Sequence, residues 1–243
     1  MEKLHIFQKG FNYSQDGPGN RLVYHLSGCS LHCPWCSNPE GKSRNGGGSF
    51  DIETILAEAI SCKPMFFENG GVTFTGGEAT EQFDALNTLL SHLKNAGITT
   101  CIETNGTHPR LPELFPVIDY LIMDCKHYDD VRHKKVIGVS NRTIYSNIVA
   151  ACAQRAELSL RIPLIGGFNA SPADAHGFLE LFQKAGAAQL ATVELLRYHE
   201  YGKDKYLARG IPYPMTQEAH ISDEVYQRFS QILLDGGIRL TSS

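Results

Sequence analysis

Apolar and polar positions alternate along this chain between two periods. Short runs rich in β-branched and aromatic residues read as strands at 21–27, 71–75, 98–103, 119–125, 158–165 and 192–198. Between them lie stretches whose apolar residues recur every three or four positions, and these read as helices at 51–61, 80–95, 109–115, 142–153, 172–185 and 223–235. The clearest helix carries Phe83, Leu86, Leu89, Leu90 and Leu93 on one face, with Gly97 as its stop signal. Asp51 is a candidate N-cap, and Pro172 stands near the start of its helix. Pro163 suggests a kink or irregular bonding near the end of the fifth strand. Residues 41–49 are glycine-rich and read as a loop.

About six strand–helix units in alternation predict an α/β fold with a parallel sheet and outer helices. The number falls short of the eight that close a (β/α)8 barrel, so the expected architecture is an open, partial (β/α)6 TIM-like barrel. At 243 residues the chain fits one such domain, spanning 1–243. In parallel α/β folds the carboxyl ends of the strands form the active rim. Cys29, Gly76-Gly77-Glu78, Thr104, Asp124 with Lys126, and His199 all fall at such ends.

Composition narrows the functional classes. The formal net charge of −4 argues against wholesale binding of a phosphate backbone, which needs a basic face, though it excludes no local basic patch; no nucleic-acid partner is expected. No apolar run approaches the ~18–20 residues of a membrane helix, and the first ten residues lack an apolar leader segment. A cytoplasmic monomer without a membrane partner is the expectation. Three of the seven cysteines crowd into eight residues, which in a reducing compartment points to metal or catalysis. Cys62, Cys101, Cys125 and Cys152 stand apart in apolar surroundings and read as packing residues, and His92, His127, His133 and His176 carry no pattern.

The crowded cysteines are Cys29, Cys33 and Cys36, in the spacing C-x3-C-x2-C. Three soft thiolates on one short loop reach three corners of a cubic iron–sulfur cluster and leave one iron open to a substrate. The alternative is structural zinc, with His25 or His32 completing a Cys3His set. Gly76-Gly77-Glu78 follows a strand; paired glycines there are either a plain βα turn or a close approach to a ligand, with Glu78 offered to an ammonium group. Asp124 beside Lys126 reads equally as an ion pair.

Cys29, Cys33 and Cys36, with Trp35 at the aromatic position, resemble the CxxxCxΦC motif of radical S-adenosylmethionine enzymes. The resemblance implies a [4Fe-4S] cluster whose open iron is chelated by the methionyl amine and carboxylate of S-adenosylmethionine. It makes Gly76, Gly77 and Glu78 the grip on the methionine amine. Trp35, Asn38, Asp124, Lys126, Arg161 and His199 join the same cofactor set. Glu103, Thr104 and Asp124 map to a monovalent cation site, with glutamate where the first acid is commonly aspartate. The implied chemistry is reductive cleavage of the S–C5′ bond to a 5′-deoxyadenosyl radical.

Further pieces resemble the activating enzymes of glycyl radical enzymes, that of pyruvate formate-lyase among them: Asp16-Gly17-Pro18-Gly19-Asn20-Arg21, Glu103-Thr104-Asn105-Gly106, Asp124-Cys125-Lys126, Gly138-Val139-Ser140-Asn141, Arg161, and residues 196–203. These imply a glycyl radical enzyme as protein substrate and a flavodoxin or ferredoxin as electron donor. Only the glycine-rich loop separates Cys36 from Asp51, which leaves no room for a ferredoxin-like insertion and implies a single cluster. The rivals are a radical enzyme acting on a small molecule or a peptide, and a structural zinc module.

Overall fold

The computed structural model describes residues 2–13 and 15–241. The chain forms two compact units, one made of residues up to Ser30 together with Glu40–Ile122, the other of Leu31–Pro39 and Met123 onward.

In the first unit β1 (Lys3–Asn12) lies antiparallel to both β2 (Arg21–Leu26) and β3 (Gly48–Asp51). β2, β4 (Gly71–Gly76) and β5 (Thr100–Thr104) are parallel neighbours, so their carboxyl ends share one side. Helices α1 (Ile52–Ser61) and α2 (Phe83–Asn95) cover them. Phe83, Leu86, Leu89, Leu90 and Leu93 are the buried face of α2, as their spacing requires. Residues of β2 and β4 are buried on both faces, the mark of a covered parallel sheet. β6 (Tyr120–Asp124) carries the chain from the first unit into the second.

The second unit contains α3 (Asp130–Ile137), α4 (Arg142–Ala153), β7 (Leu158–Leu164), α5 (Pro172–Lys184), α6 (Ala187–Leu190), β8 (Thr192–Arg197), α7 (Lys203–Ala208), α8 (Asp223–Asp235) and β9 (Arg239–Thr241). β7, β8 and β9 are parallel. Register runs unbroken through Pro163, opposite Leu196, because one missing N–H removes a single rung of the ladder. α5 starts on a capping box between Ser171 and Asp174. β3 is an edge strand of the first unit and β9 of the second, so the mostly parallel sheet is open, as the sequence predicts.

The differences from the sequence reading are local. Residues 41–49 are not all loop, since β3 begins at Gly48. Asp51 is extended and precedes α1, but its side chain makes no cap bond and stands 3.7 Å from Lys3 Nζ. Residues 79–82 form a 3-10 turn before α2, and the segment expected at 109–115 is a 3-10 helix, Leu111–Val117, shaped by its prolines. α3 has only His133 and Ile137 buried, too little apolar surface to show a period.

Candidate functional site

The cysteine loop leaves β2 through Ser27 and Gly28. Gln82, in the 3-10 turn before α2, clamps this exit: its amide donates to Ser27 O (3.0 Å) and His5 O (2.9 Å) and accepts from His5 N (2.7 Å). Gly28 N donates to Gly41 O at 2.8 Å. The glycine turn after β4 closes on the same place. Gly76 has φ +120°, and a Cβ on it would lie 2.4 Å from Leu26 N. A Cβ on Gly77 would lie 2.4 Å from both Gly28 O and Gly41 O. Both glycines are therefore demanded by the chain's own backbone at the base of the cysteine loop.

Glu78 follows that turn and is buried. Its Oε1 accepts from Thr80 N (3.0 Å), Thr80 Oγ1 (2.5 Å) and Thr104 Oγ1 (2.6 Å), and its Oε2 accepts from Asn105 N (2.7 Å). Burial pushes the carboxyl above the ordinary range, and the four hydrogen bonds pull against it. Oε1 is crowded, whereas Oε2 holds one donor and keeps acceptor capacity for an ammonium group. Thr104 Oγ1 also accepts from Gly106 N, while Glu103 Oε2 accepts from Thr75 Oγ1 at 2.8 Å. Asn105 Nδ2 donates to Cys29 Sγ at 3.8 Å.

The second unit carries the rest of the loop. Cys36 N donates to Cys33 O at 3.2 Å, and His32 N donates to Ile137 O at 2.9 Å. A Cβ on Gly202 would lie 2.2 Å from Cys36 O, so glycine is required there for the chain to pass. Trp35 packs on Phe168 with ring centres 5.2 Å apart, and Asn38 Oδ1 accepts from Lys205 Nζ at 2.9 Å. At the end of β6, Asp124 and Lys126 form the ion pair that their spacing suggested. Arg161 Nε pairs with the carboxylate of Glu194 at 2.6 Å, and Arg161 O accepts from Cys125 N at 2.8 Å. His199, in the segment after β8, is exposed and stacked on Tyr201.

The loop's donor chemistry fits an iron–sulfur cluster: three cysteines outside any disulfide, in C-x3-C-x2-C spacing, with an amide N–H directed at the first sulfur. Among the described residues no three His, Cys, Asp or Glu side chains form a group that could hold a single metal ion. Cys101, Cys125 and Cys152 are buried, as packing residues are, and burial pushes the Cys125 thiol up to about 12. Cys62 is half-buried. His127 and His133 are core residues whose burial lowers their pKa. Sequence reasoning quoted Asn105 only as part of a motif and passed over Gln82 and Glu194. An amide or acid on a strand, a strand exit or a turn declares no partner until the fold supplies one.

Residues 23–179 match the model of the Radical SAM superfamily. The chain belongs to that superfamily. Its radical SAM relatives include the pyruvate formate-lyase 1-activating enzyme of Escherichia coli, 30% identical over 223 residues and covering 90% of each chain. The 4-hydroxyphenylacetate decarboxylase activating enzyme of Clostridioides difficile is 29% identical and covers 92% of this chain and 90% of its own. That alignment runs over 289 positions, more than the 243 residues present here, so this relative carries inserted segments. A crystallised domain of a pyruvate-formate lyase-activating enzyme from Bacteroides vulgatus superposes with a TM-score of 0.57 at 28% identity, covering 72% of this chain and 99% of that domain. The homologues are thus activating enzymes, and the chain is a radical SAM oxidoreductase by family. No helix among the described residues is long and apolar enough to cross a membrane.

Proposed function

We propose that this protein activates a glycyl radical enzyme by abstracting a hydrogen atom from a backbone glycine of that partner. The observation that carries the reading is the Cys29, Cys33 and Cys36 loop at the exit of β2, in a chain 30% identical over 90% of its length to an activating enzyme. The three thiolates would hold one [4Fe-4S] cluster, which supplies the electron that cleaves S-adenosylmethionine. Gly76 and Gly77 shape the turn, and Glu78 Oε2 takes the methionyl ammonium. An ammonium there favours the ionised carboxylate that burial alone disfavours. Trp35, Asn38, Asp124, Lys126, Arg161 and His199 complete the cofactor set by motif. A monovalent cation at Glu103, Thr104 and Asp124 belongs to the same reading, as do a flavodoxin or ferredoxin donor, a cytoplasmic monomer, and residues 1–243 acting as one catalytic domain without a ferredoxin-like insertion.

Anaerobic reconstitution with iron and sulfide, followed by reduction and addition of S-adenosylmethionine, tests it. The expected products are 5′-deoxyadenosine and, with a pyruvate formate-lyase-type partner present, a glycyl radical signal. Both are expected to vanish in Cys36→Ala. Cleavage that continues in Cys36→Ala sinks the cluster assignment. Zinc retained under anaerobic iron loading returns the loop to a structural staple. Cleavage without radical transfer to any such partner points to a small-molecule or peptide substrate.

A further inference from the structure

The loop after β5 is held from two sides. Asn105 N donates to Glu78 Oε2, and both Thr107 N (3.0 Å) and Thr107 Oγ1 (2.7 Å) donate to Asn105 Oδ1. The Thr107 backbone N–H can only donate, so the end of the amide it meets is the oxygen, and the Thr107 hydroxyl turns its hydrogen to the same atom. The amide nitrogen is thereby aimed the other way, 3.8 Å from Cys29 Sγ. Asn105 is 5% exposed and Cys29 half-buried, so the donor side of the contact lies out of water, where a dipole acts more strongly on a nearby charge.

We propose that Asn105 tunes the iron–sulfur cluster: its side-chain amide donates to the Cys29 sulfur and makes the cluster easier to reduce, while Glu78 and Thr107 position it. The inference rests on the reading of Cys29 as a cluster ligand. Reduction adds negative charge that spreads onto the ligand sulfurs, and an N–H pointed at one of them stabilises the reduced state more than the oxidised one. A residue that merely sealed the loop would act in the opposite sense. Its removal would admit water, solvate the added charge and raise the potential.

The sign of the change therefore separates the two roles. The test is a potentiometric titration of the reconstituted full chain, followed by EPR, with iron content and circular dichroism recorded for each variant. Asn105→Leu replaces the amide with an apolar group of similar shape. The expected result is normal iron loading and a lower midpoint, so that the reduced-to-oxidised ratio at the unmodified midpoint falls several-fold. An unchanged or raised midpoint in a loaded Asn105→Leu overturns the inference. Should Asn105→Leu not fold or load, Thr107→Val decides, since it removes one of the two donors that orient the amide. There a smaller fall of the same sign is expected, and an unchanged or raised midpoint is fatal. An unmodified chain that binds no cluster overturns the proposed function instead.

Discussion

Arg21 and Glu78 are both buried ionic side chains of the first unit, and they stand at opposite ends of the parallel strands β2 and β4. Arg21 opens β2 and uses all five of its donors: Nε on Thr73 Oγ1, one terminal nitrogen on Pro18 O and Asn69 O, the other on Val72 O and Thr99 O. Four of those acceptors are backbone carbonyls, and the guanidinium lies 5.7 Å from the Tyr120 ring centre. Burial lowers its pKa, yet arginine stays charged. Glu78 follows β4 and is bound by two threonine hydroxyls and two backbone amides, with acceptor capacity left on Oε2. A saturated buried charge has no chemistry to offer and serves the fold. An unsaturated one, whose neighbour Asn105 addresses a cysteine, is free to serve the site under the proposed function.

If that distinction is right, Arg21→Leu is the most damaging change to the fold. It strands five acceptors and should cost about 3–5 kcal/mol of unfolding free energy, measured by denaturant titration of the cluster-free protein. A cost below about 1 kcal/mol would show that the saturated network is dispensable and erase the contrast. Glu78→Ala should cost less, about 1–3 kcal/mol, because it frees four donors, two of them hydroxyls that can turn to other acceptors, where Arg21→Leu strands five acceptors. Its larger effect should be on function. S-adenosylmethionine affinity of the cluster-loaded enzyme is expected to fall roughly 10- to 100-fold, the equivalent of one hydrogen bond to a charged group. Equal affinity by equilibrium binding would make Glu78 another structural charge.

A pH series sharpens the same point. The folded-state pKa of Glu78 is raised, so the folded protein holds a proton that the unfolded chain releases at lower pH. Stability from this group is fully present below the ordinary carboxylate range and is lost as pH rises through the folded value. The stability of the natural chain relative to Glu78→Gln should therefore fall as pH increases across that window. A difference that is flat, or that grows with pH, contradicts a carboxyl disfavoured by burial. The smallest effect is expected at Cys101, where Cys101→Ala shortens one small buried side chain in the first unit's core. About 1 kcal/mol of stability is at stake there, with no change in cluster content.

The Asp16–Arg21 segment marks where sequence reading ends. Its wording resembles the activating enzymes, yet Thr73 Oγ1 donates to Asp16 O at 2.6 Å and Arg21 is bound into the amino end of the strands. This motif holds the fold, because it precedes its strand while the chemistry follows the strands. Elements with strong periods were legible: strands β2, β4, β5, β6, β7 and β8 and the helix of Phe83 to Leu93 follow from burial on one or both faces. β1, β3, β9, α3 and α7 were not, because short or polar segments gain their stability from neighbours that a single sequence does not display. At the site, the cysteine spacing is chemistry written locally. The contacts of Glu78 with Asn105 and of Asn105 with Cys29 bridge 27 and 76 residues, and only the fold brings them together.

The pinning of Gly41 has a consequence for how this architecture changes length. Gly41 O is held by Gly28 N, and Gly46 O by Ser27 Oγ at 2.5 Å, while Ser43, Arg44 and Asn45 between them are exposed. Extra chain inserted at those three positions leaves both anchors in place. Lengthening a surface loop costs little entropy, since each doubling adds only about 0.6 kcal/mol. Length can therefore change at this segment while the hydrogen bonds that hold Ser27 and Gly28, at the base of Cys29, stay in place.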